Sequence, residues 1–316
     1  MFWLKEVVNC STTQRVWKGS ADVMIDYEHI PKSGGSTWGQ LLIRHTLGTF
    51  PLKPLSGFAT YNGGNWDLMR ALGKRTFWSY TCAHHAGKAI APLVIVRNPY
   101  TRLLSGYLDK VARASQNPSW RAALSFRPRR GTAWDATPVA FEDFVEQLLQ
   151  HVRAEKRIGD VVATTHLLPL TSLSQSRLWP NFGERTLDAA MRRWNVLRLE
   201  EMTVWYPHII RDFDLTSAAN DPLWRWSGSR PYDCFWTAPG KSCNESLRIS
   251  HAYTGPKRLI DGDMCDDRAQ IGHGTGACKR LSTFFATERV IRNATDLLAS
   301  DLKALGYAKM HPLTAV

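Results

Sequence analysis

Two adjacent glycines set between a short strand and a helix constrain this chain more than any other feature. Residues 22–29 carry Val23, Ile25 and Tyr27 and read as a first strand. The turn Pro31-Lys32-Ser33-Gly34-Gly35-Ser36-Thr37 follows, and residues 37–47 read as a helix stopped at Gly48. Adjacent glycines let backbone amides close on an anion, and the N-terminus of the helix adds its partial positive charge. Ser36 and Thr37 add hydroxyl donors. The turn is therefore a candidate phosphate cradle, with a plain capped turn as the alternative. It is not a Walker A loop. There the lysine follows the second glycine, whereas Lys32 precedes both.

A second element has the same architecture. Pro92-Leu93-Val94-Ile95-Val96 is a short apolar run of the kind found in buried parallel strands. Arg97 follows it directly, and Asn98-Pro99 then supplies an N-cap and a first-turn proline for a helix with the apolar face Leu103, Leu104, Tyr107, Leu108 and Val111. Arg97 thus stands where a parallel strand ends, which is where open α/β sheets bind ligands. A guanidinium there suits a phosphate, through two parallel hydrogen bonds. Ser105 lies eight residues on, along the helix. The alternative is a capped helix with a surface arginine.

The rest of the chain continues the pattern. Residues 76–82 are aromatic and β-prone, 139–152 form an amphipathic helix, and 195–199 form a strand ending at Glu200-Glu201. Residues 287–305 are an amphipathic helix closed by Gly306. Strand, turn and helix in repetition predict an α/β fold: a central, mostly parallel sheet flanked by helices. A single domain over 1–316 is expected, with the loop-rich, Cys-bearing stretch 216–282 as an insertion or lid.

Composition narrows the partner. A net charge of +12 favours anions, and no nucleic-acid-binding motif accompanies it. Six cysteines contain no C-x-x-C pair, so no metal is expected; the last four, Cys234, Cys243, Cys265 and Cys278, are close enough in sequence for two disulfides. Three sequons, at Asn9, Asn244 and Asn293, lean with the cysteines towards a secretory lumen and a glycoprotein. No run of about 20 apolar residues is present, and the first residues lack a signal-peptide core. Either a cytoplasmic protein or a chain lacking its natural N-terminus is expected.

Together the two elements resemble the sulfotransferases that use 3′-phosphoadenosine-5′-phosphosulfate (PAPS), especially the Golgi carbohydrate type that includes the heparan sulfate 2-O- and 6-O-sulfotransferases. That family has a "HIPKTGGT"-like loop for the 5′-phosphosulfate, matched by His29-Ile30-Pro31-Lys32-Ser33-Gly34-Gly35-Ser36. Its "R-[DN]-P-x-x-R-x-x-S" element for the 3′-phosphate is matched by Arg97, Asn98, Pro99, Arg102 and Ser105, about 65 residues later. Weaker echoes are Thr165-His166-Leu167-Leu168-Pro169-Leu170 for "HWxPQ", Leu197-Arg198-Leu199-Glu200 for an "RxE" strand, and Gly272-His273-Gly274-Thr275 with the last helix. The stretch 216–270 has no counterpart.

The resemblance implies a P-loop-NTPase-like sulfotransferase fold and in-line transfer of a sulfuryl group from PAPS to a hydroxyl, of a carbohydrate and possibly an acidic glycan. It implies Lys32 as the group that stabilises the leaving phosphate. Lys32, Ser33, Gly34, Gly35, Ser36 and Thr37 would bind the 5′-phosphate side of the donor, and Arg97 and Ser105 its 3′-phosphate. His84 or His85, in Thr81-Cys82-Ala83-His84-His85, aligns with the family's catalytic base, with Glu200 and His166 as alternatives. Lys279 and Arg280 are candidates for the 3′-phosphate, or else a solvated pair. Trp224, Trp226 and Trp236 are candidates for a sugar platform, or else a small core. Arg127, Arg129 and Arg130 are candidates for steering an anionic acceptor, or else a solvated loop. The family works in the Golgi lumen behind a membrane anchor, so the resemblance implies the Golgi lumen here, with the cytoplasm as the alternative. The competing functions are a P-loop-like nucleotide kinase and a nucleotide-binding homologue without catalysis.

Overall fold

The structure is a computed structural model that describes residues 17–18, 20, 23–28, 30, 32–33, 42, 45, 89–112, 128–129, 134–154, 167–170, 194–217, 277 and 280–311. The chain divides into two compact units. One comprises Met1–Ile30, Gly34–Ile95 and Arg193–Gly272, the other Pro31–Ser33, Val96–Arg192 and His273–Val316.

The first unit holds a four-stranded sheet in the order β1-β2-β3-β4, formed by β1 (Trp17–Lys18), β2 (Val23–Glu28), β3 (Ala89–Val96) and β4 (Asn195–Arg198). β2 and β3 are parallel, in register from Val23↔Ala89 to Glu28↔Val94, and the two-residue β1 pairs antiparallel to β2. The expected α/β architecture with parallel pairing is therefore present. β3 begins three residues earlier than its apolar run suggested, because Pro92 falls inside it. Proline removes a ladder donor and is usually confined to strand starts and edges. Here its carbonyl remains in use, accepting from Asn195 Nδ2 at 2.9 Å, so the first residue of β4 adds a side-chain bond at this point.

β2 and β3 are buried on both faces: Val23, Ile25, Ala91, Leu93 and Ile95 on one, and Met24, Ile90 and Val94 on the other. The first set packs into one core with Leu197 and α3 (Met202–Asp212), whose Met202, Trp205, Tyr206, Ile209 and Ile210 recur at helical spacing, with Phe213 just beyond its end. Leu42 joins this core; it and His45 are the described residues of the expected helix over 37–47, and both are helical. The single turn Leu199–Glu201 leads from β4 into α3, and Trp205 Nε1 donates to the carbonyl of Arg198 at 2.7 Å.

The second unit is helical over its described residues. α1 (Pro99–Gly106) starts at Asn98, whose Oδ1 accepts from the amides of Tyr100 (3.0 Å) and Thr101 (3.3 Å). All eight α1 residues are buried. The helix runs on into a π-helical turn, Tyr107–Ala112, and the apolar face expected over 103–111 is buried in full. α2 (Pro138–Arg153), α4 (Leu281–Phe284) and α5 (Glu288–Leu305) complete the unit, with α5 packed on α2 and α1. Their common core is aromatic: Tyr107 meets Phe141 and Phe144 at 5.1 and 5.0 Å between ring centroids, and Phe141 meets Phe284 and Phe285 at 5.6 and 5.2 Å. Gly306 closes α5 at φ 67°, a left-handed cap that a side chain would oppose.

Among the described residues no helix is long and apolar enough to cross a membrane. The stretch 216–282 and all six cysteines fall outside the described residues, apart from 216–217, 277 and 280–282.

Candidate active site

Lys32 and Ser33 of the expected cradle and Arg97 of the expected phosphate clamp belong to the second unit. Lys32 has φ 68°, in the left-handed region that a non-glycine residue enters at a cost of about 1–2 kcal/mol. The other described non-glycine residue there, Asp214, ends α3, where such a conformation is a routine helix stop. Lys32 ends no helix; it sits in the turn after β2. Arg97, the residue directly after β3, fixes this turn: its Nη1 donates to the Lys32 carbonyl at 3.3 Å. The two motif elements, 65 residues apart in sequence, are thus joined by a direct hydrogen bond.

The Lys32 ammonium forms an ion pair with Asp109, in the π-helical turn after α1. Their side chains are only 8% and 15% exposed. Lys110 approaches the same carboxylate oxygen, Asp109 Oδ2, at 3.1 Å. Burial pushes the Lys32 amine down to about 8; Asp109 opposes this, and the nearby charges of Lys110 and Arg97 add to it. At Asp109, burial works upward, but Lys32 and Lys110 together outweigh it and hold the carboxyl at about 2. Near neutral pH the pair is therefore ionised, with the amine within reach of deprotonation.

Ser33 is fully buried, and its hydroxyl has no hydrogen-bond partner among the described residues. A buried unpaired hydroxyl costs free energy unless a ligand or water satisfies it. Ser105 is buried on α1. Gly34, Gly35, Ser36, Thr37, His84, His85 and His166 lie outside the described residues. Glu200 stands half-buried in the turn after β4, in the first unit. Its neighbour Glu201 pairs with Arg198 at 3.2 Å.

Arg102, the second arginine of the clamp motif, is 1% exposed and turned to a structural task. Its Nη1 donates to the Leu168 carbonyl at 2.8 Å, while Asp301 on α5 accepts from the Leu170 amide at 2.7 Å. The segment 167–170 is thereby pinned by a cation from α1 and an acid from α5. Two other candidates have partners within the second unit. Arg129 bonds Gln150 at 2.6 Å and pairs with Glu146 at 3.6 Å, which ties it to α2. Arg280 donates to the Ala136 carbonyl at 3.1 Å and lies over the Phe284 ring at 4.7 Å. Lys279, Arg127, Arg130, Trp224, Trp226 and Trp236 lie outside the described residues. The sequon at Asn293 is inside α5 rather than in a loop, with the Thr295 hydroxyl bonded to the Ile291 carbonyl and Tyr100.

Asp109, Lys110 and Asp301 did not stand out in the sequence. The signals were present: Asp109 follows Ser105 by four residues, and Asp301 falls on the apolar stripe of α5.

The arrangement gathers the cations Lys32, Lys110 and Arg97 about the turn after β2 and the acid Asp109. A family model, the Sulfotransferase family, matches residues 20–204, more than half of the 316-residue chain. The chain belongs to the Sulfotransferase family. The match covers both motif elements and decides for sulfuryl transfer over the nucleotide-kinase alternative. No curated protein and no solved structure matches this sulfotransferase.

Proposed function

We propose that this sulfotransferase moves the sulfuryl group of PAPS to a carbohydrate hydroxyl. The observation that carries the donor assignment is the Arg97–Lys32 bond. It gathers two cations and the buried Ser33 hydroxyl at the turn, and this donor set fits a ligand with a phosphosulfate at one end and a phosphate at the other.

In this reading the acceptor oxygen forms a bond to sulfur as the bond from sulfur to the bridging oxygen breaks. The acceptor proton leaves to a base, and the nucleotide leaves as 3′-phosphoadenosine-5′-phosphate. Sulfuryl transfer resembles phosphoryl transfer in needing alignment and neutralisation of charge on the leaving group. Lys32 neutralises the bridging oxygen, where charge develops. Gly34, Gly35, Ser36 and Thr37 bind the 5′-phosphate through amides and hydroxyls. Arg97 and Ser105 bind the 3′-phosphate. His84 is the base, with His85 next to it in sequence. The basic surface favours an acidic glycan as acceptor, and the resemblance to the Golgi type supports a reaction in the Golgi lumen.

Calorimetric titration with 3′-phosphoadenosine-5′-phosphate, beside ATP and AMP, tests the donor site in the native protein and in Arg97→Ala. Binding in the micromolar range, about −8 kcal/mol, is expected for the 3′-phosphorylated nucleotide. The preference should vanish in Arg97→Ala. Equal binding of all three nucleotides by the native protein sinks the donor assignment.

A further inference from the structure

The catalytic lysine is already paired, and this raises the question of how it reaches a donor. Lys32 cannot neutralise a leaving phosphate while its ammonium is held by Asp109, and breaking a largely buried ion pair is costly when one charge is left alone. The structure contains a solution. Asp109 Oδ2 has two ammonium partners, Lys32 and Lys110, and Lys110 is the residue next to Asp109 on the same π-helical turn. If Lys32 departs, the carboxylate keeps a cation. The two lysines also differ in tether. Lys32 is carried by the turn after β2, where Arg97 holds its carbonyl, whereas Lys110 moves only with Asp109. Turns of π type are rare and recur at functional sites, because the extra residue per turn re-aims the side chains that follow.

We propose that Asp109 and Lys110 form a charge-exchange device for Lys32: Asp109 holds the Lys32 ammonium in the donor-free enzyme, and donor binding draws Lys32 away while Lys110 alone neutralises Asp109. The proposal rests on the donor reading above. Asp109 and Lys110 act here as positioning residues, since neither touches the donor. Lys32 would be kept protonated at every stage, first by a carboxylate and then by the donor's own negative charge. The groups that bear on its charge are Asp109, Lys110 and Arg97.

A double-mutant cycle read by calorimetry with 3′-phosphoadenosine-5′-phosphate at neutral pH tests the exchange. Lys110→Met should weaken binding about tenfold, because handing over Lys32 now leaves Asp109 buried without a cation. Lys110→Arg should retain the native affinity. In the Asp109→Asn background, Lys110→Met should have no further effect, since no carboxylate remains to be orphaned. If Lys110→Met weakens binding equally in both backgrounds, Lys110 attracts the nucleotide directly and the exchange is wrong. If Lys110→Met does not weaken binding in the native background, the exchange is wrong as well.

A second measurement needs only the native chain and an assignment variant. In protein with 13Cε-labelled lysine, the Lys32 resonance, assigned with Lys32→Arg, should titrate near pH 8 without nucleotide and at higher pH with it. The Asp109 carboxyl should titrate at about 2 without nucleotide and higher with it, since burial raises it and Lys32 is the stronger of its two neutralising partners. A Lys32 midpoint or an Asp109 midpoint that nucleotide leaves unmoved overturns the exchange. Failure of the native protein to bind the nucleotide at all would instead overturn the donor reading.

Discussion

Asp301→Ala should be among the most damaging single substitutions outside the donor site. Asp301 is fully buried on α5 and performs two tasks. It accepts the Leu170 amide at 2.7 Å, and its charge opposes the burial that pushes Arg102 down to about 10. Truncation leaves a buried guanidinium uncompensated and a buried amide without its acceptor. Removing one partner of a buried pair costs about 3–5 kcal/mol, and an orphaned amide about 1–3 kcal/mol that overlaps with it. At roughly 2–4 °C per kcal/mol for a domain of this class, Tm should fall by about 6–20 °C. Thermal unfolding followed by circular dichroism, with urea unfolding beside it, reads the effect. The companion is Arg102→Leu/Asp301→Leu, which removes both charges and fills the space with apolar groups. It should be more stable than Asp301→Ala, because apolar replacement of a buried pair is often nearly neutral. A loss below about 1 kcal/mol for Asp301→Ala, or a double variant whose loss equals the sum of the Arg102→Leu and Asp301→Leu losses, would refute the reasoning.

Two further outcomes are expected. A base whose folded pKa is depressed keeps its proton below that value and loses it as pH rises through it, so 3′-phosphoadenosine-5′-phosphate should bind progressively more weakly above pH about 8 in the native protein. Lys32→Met should abolish this alkaline limb, and a limb that persists in the variant assigns it to another group. Asn98→Ala removes the cap that accepts the Tyr100 and Thr101 amides at the start of α1, at a cost of about 1–2 kcal/mol. Because Arg97 is the adjacent residue, nucleotide affinity should fall severalfold along with Tm, and Asn98→Asp should restore both; loss of neither would show the cap to be dispensable.

Most of the described fold was legible where local chemistry decides it. β2 announces itself by its apolar residues, α1 by Asn98-Pro99, and α5 by its long apolar stripe with Gly306 at the end. The longest element that escaped was α3. Its apolar residues recur at helical spacing, but Pro207 stands in its middle, where loss of a backbone donor and ring crowding argue against a helix. The helix forms because Trp205, Ile209, Ile210 and Phe213 bury together against the sheet, and tertiary burial outweighs a local penalty of about 3 kcal/mol. β3 escaped in part for the same reason: Pro92 reads as a strand start, and only the partner strand, with Asn195 on its carbonyl, shows that it lies inside.

The site was legible on its cationic side alone. Lys32 and Arg97 stand in motifs whose glycines, caps and strand ends have a local physical meaning, so a sequence displays them. Their counter-charges do not. Asp109 and Lys32 are 77 positions apart, and nothing in the spacing of either announces the other. Periodicity states which face of a helix is apolar; it cannot state which charge will be brought against it. Yet one constraint was available. Burying a cation near an anion-binding turn demands an anion that stays until the ligand arrives, and burying Arg102 demands one that stays permanently. In a chain of net charge +12, acids placed beside or within apolar stripes are therefore the residues to suspect. Asp109 follows Tyr107 and Leu108, and Asp301 falls between Leu298 and Leu305 on the stripe of α5. They differ in what accompanies them. Asp301 anchors a backbone amide besides opposing Arg102, which suits a permanent structural charge. Asp109 shares one oxygen between two lysines, which suits a charge that must release one of them.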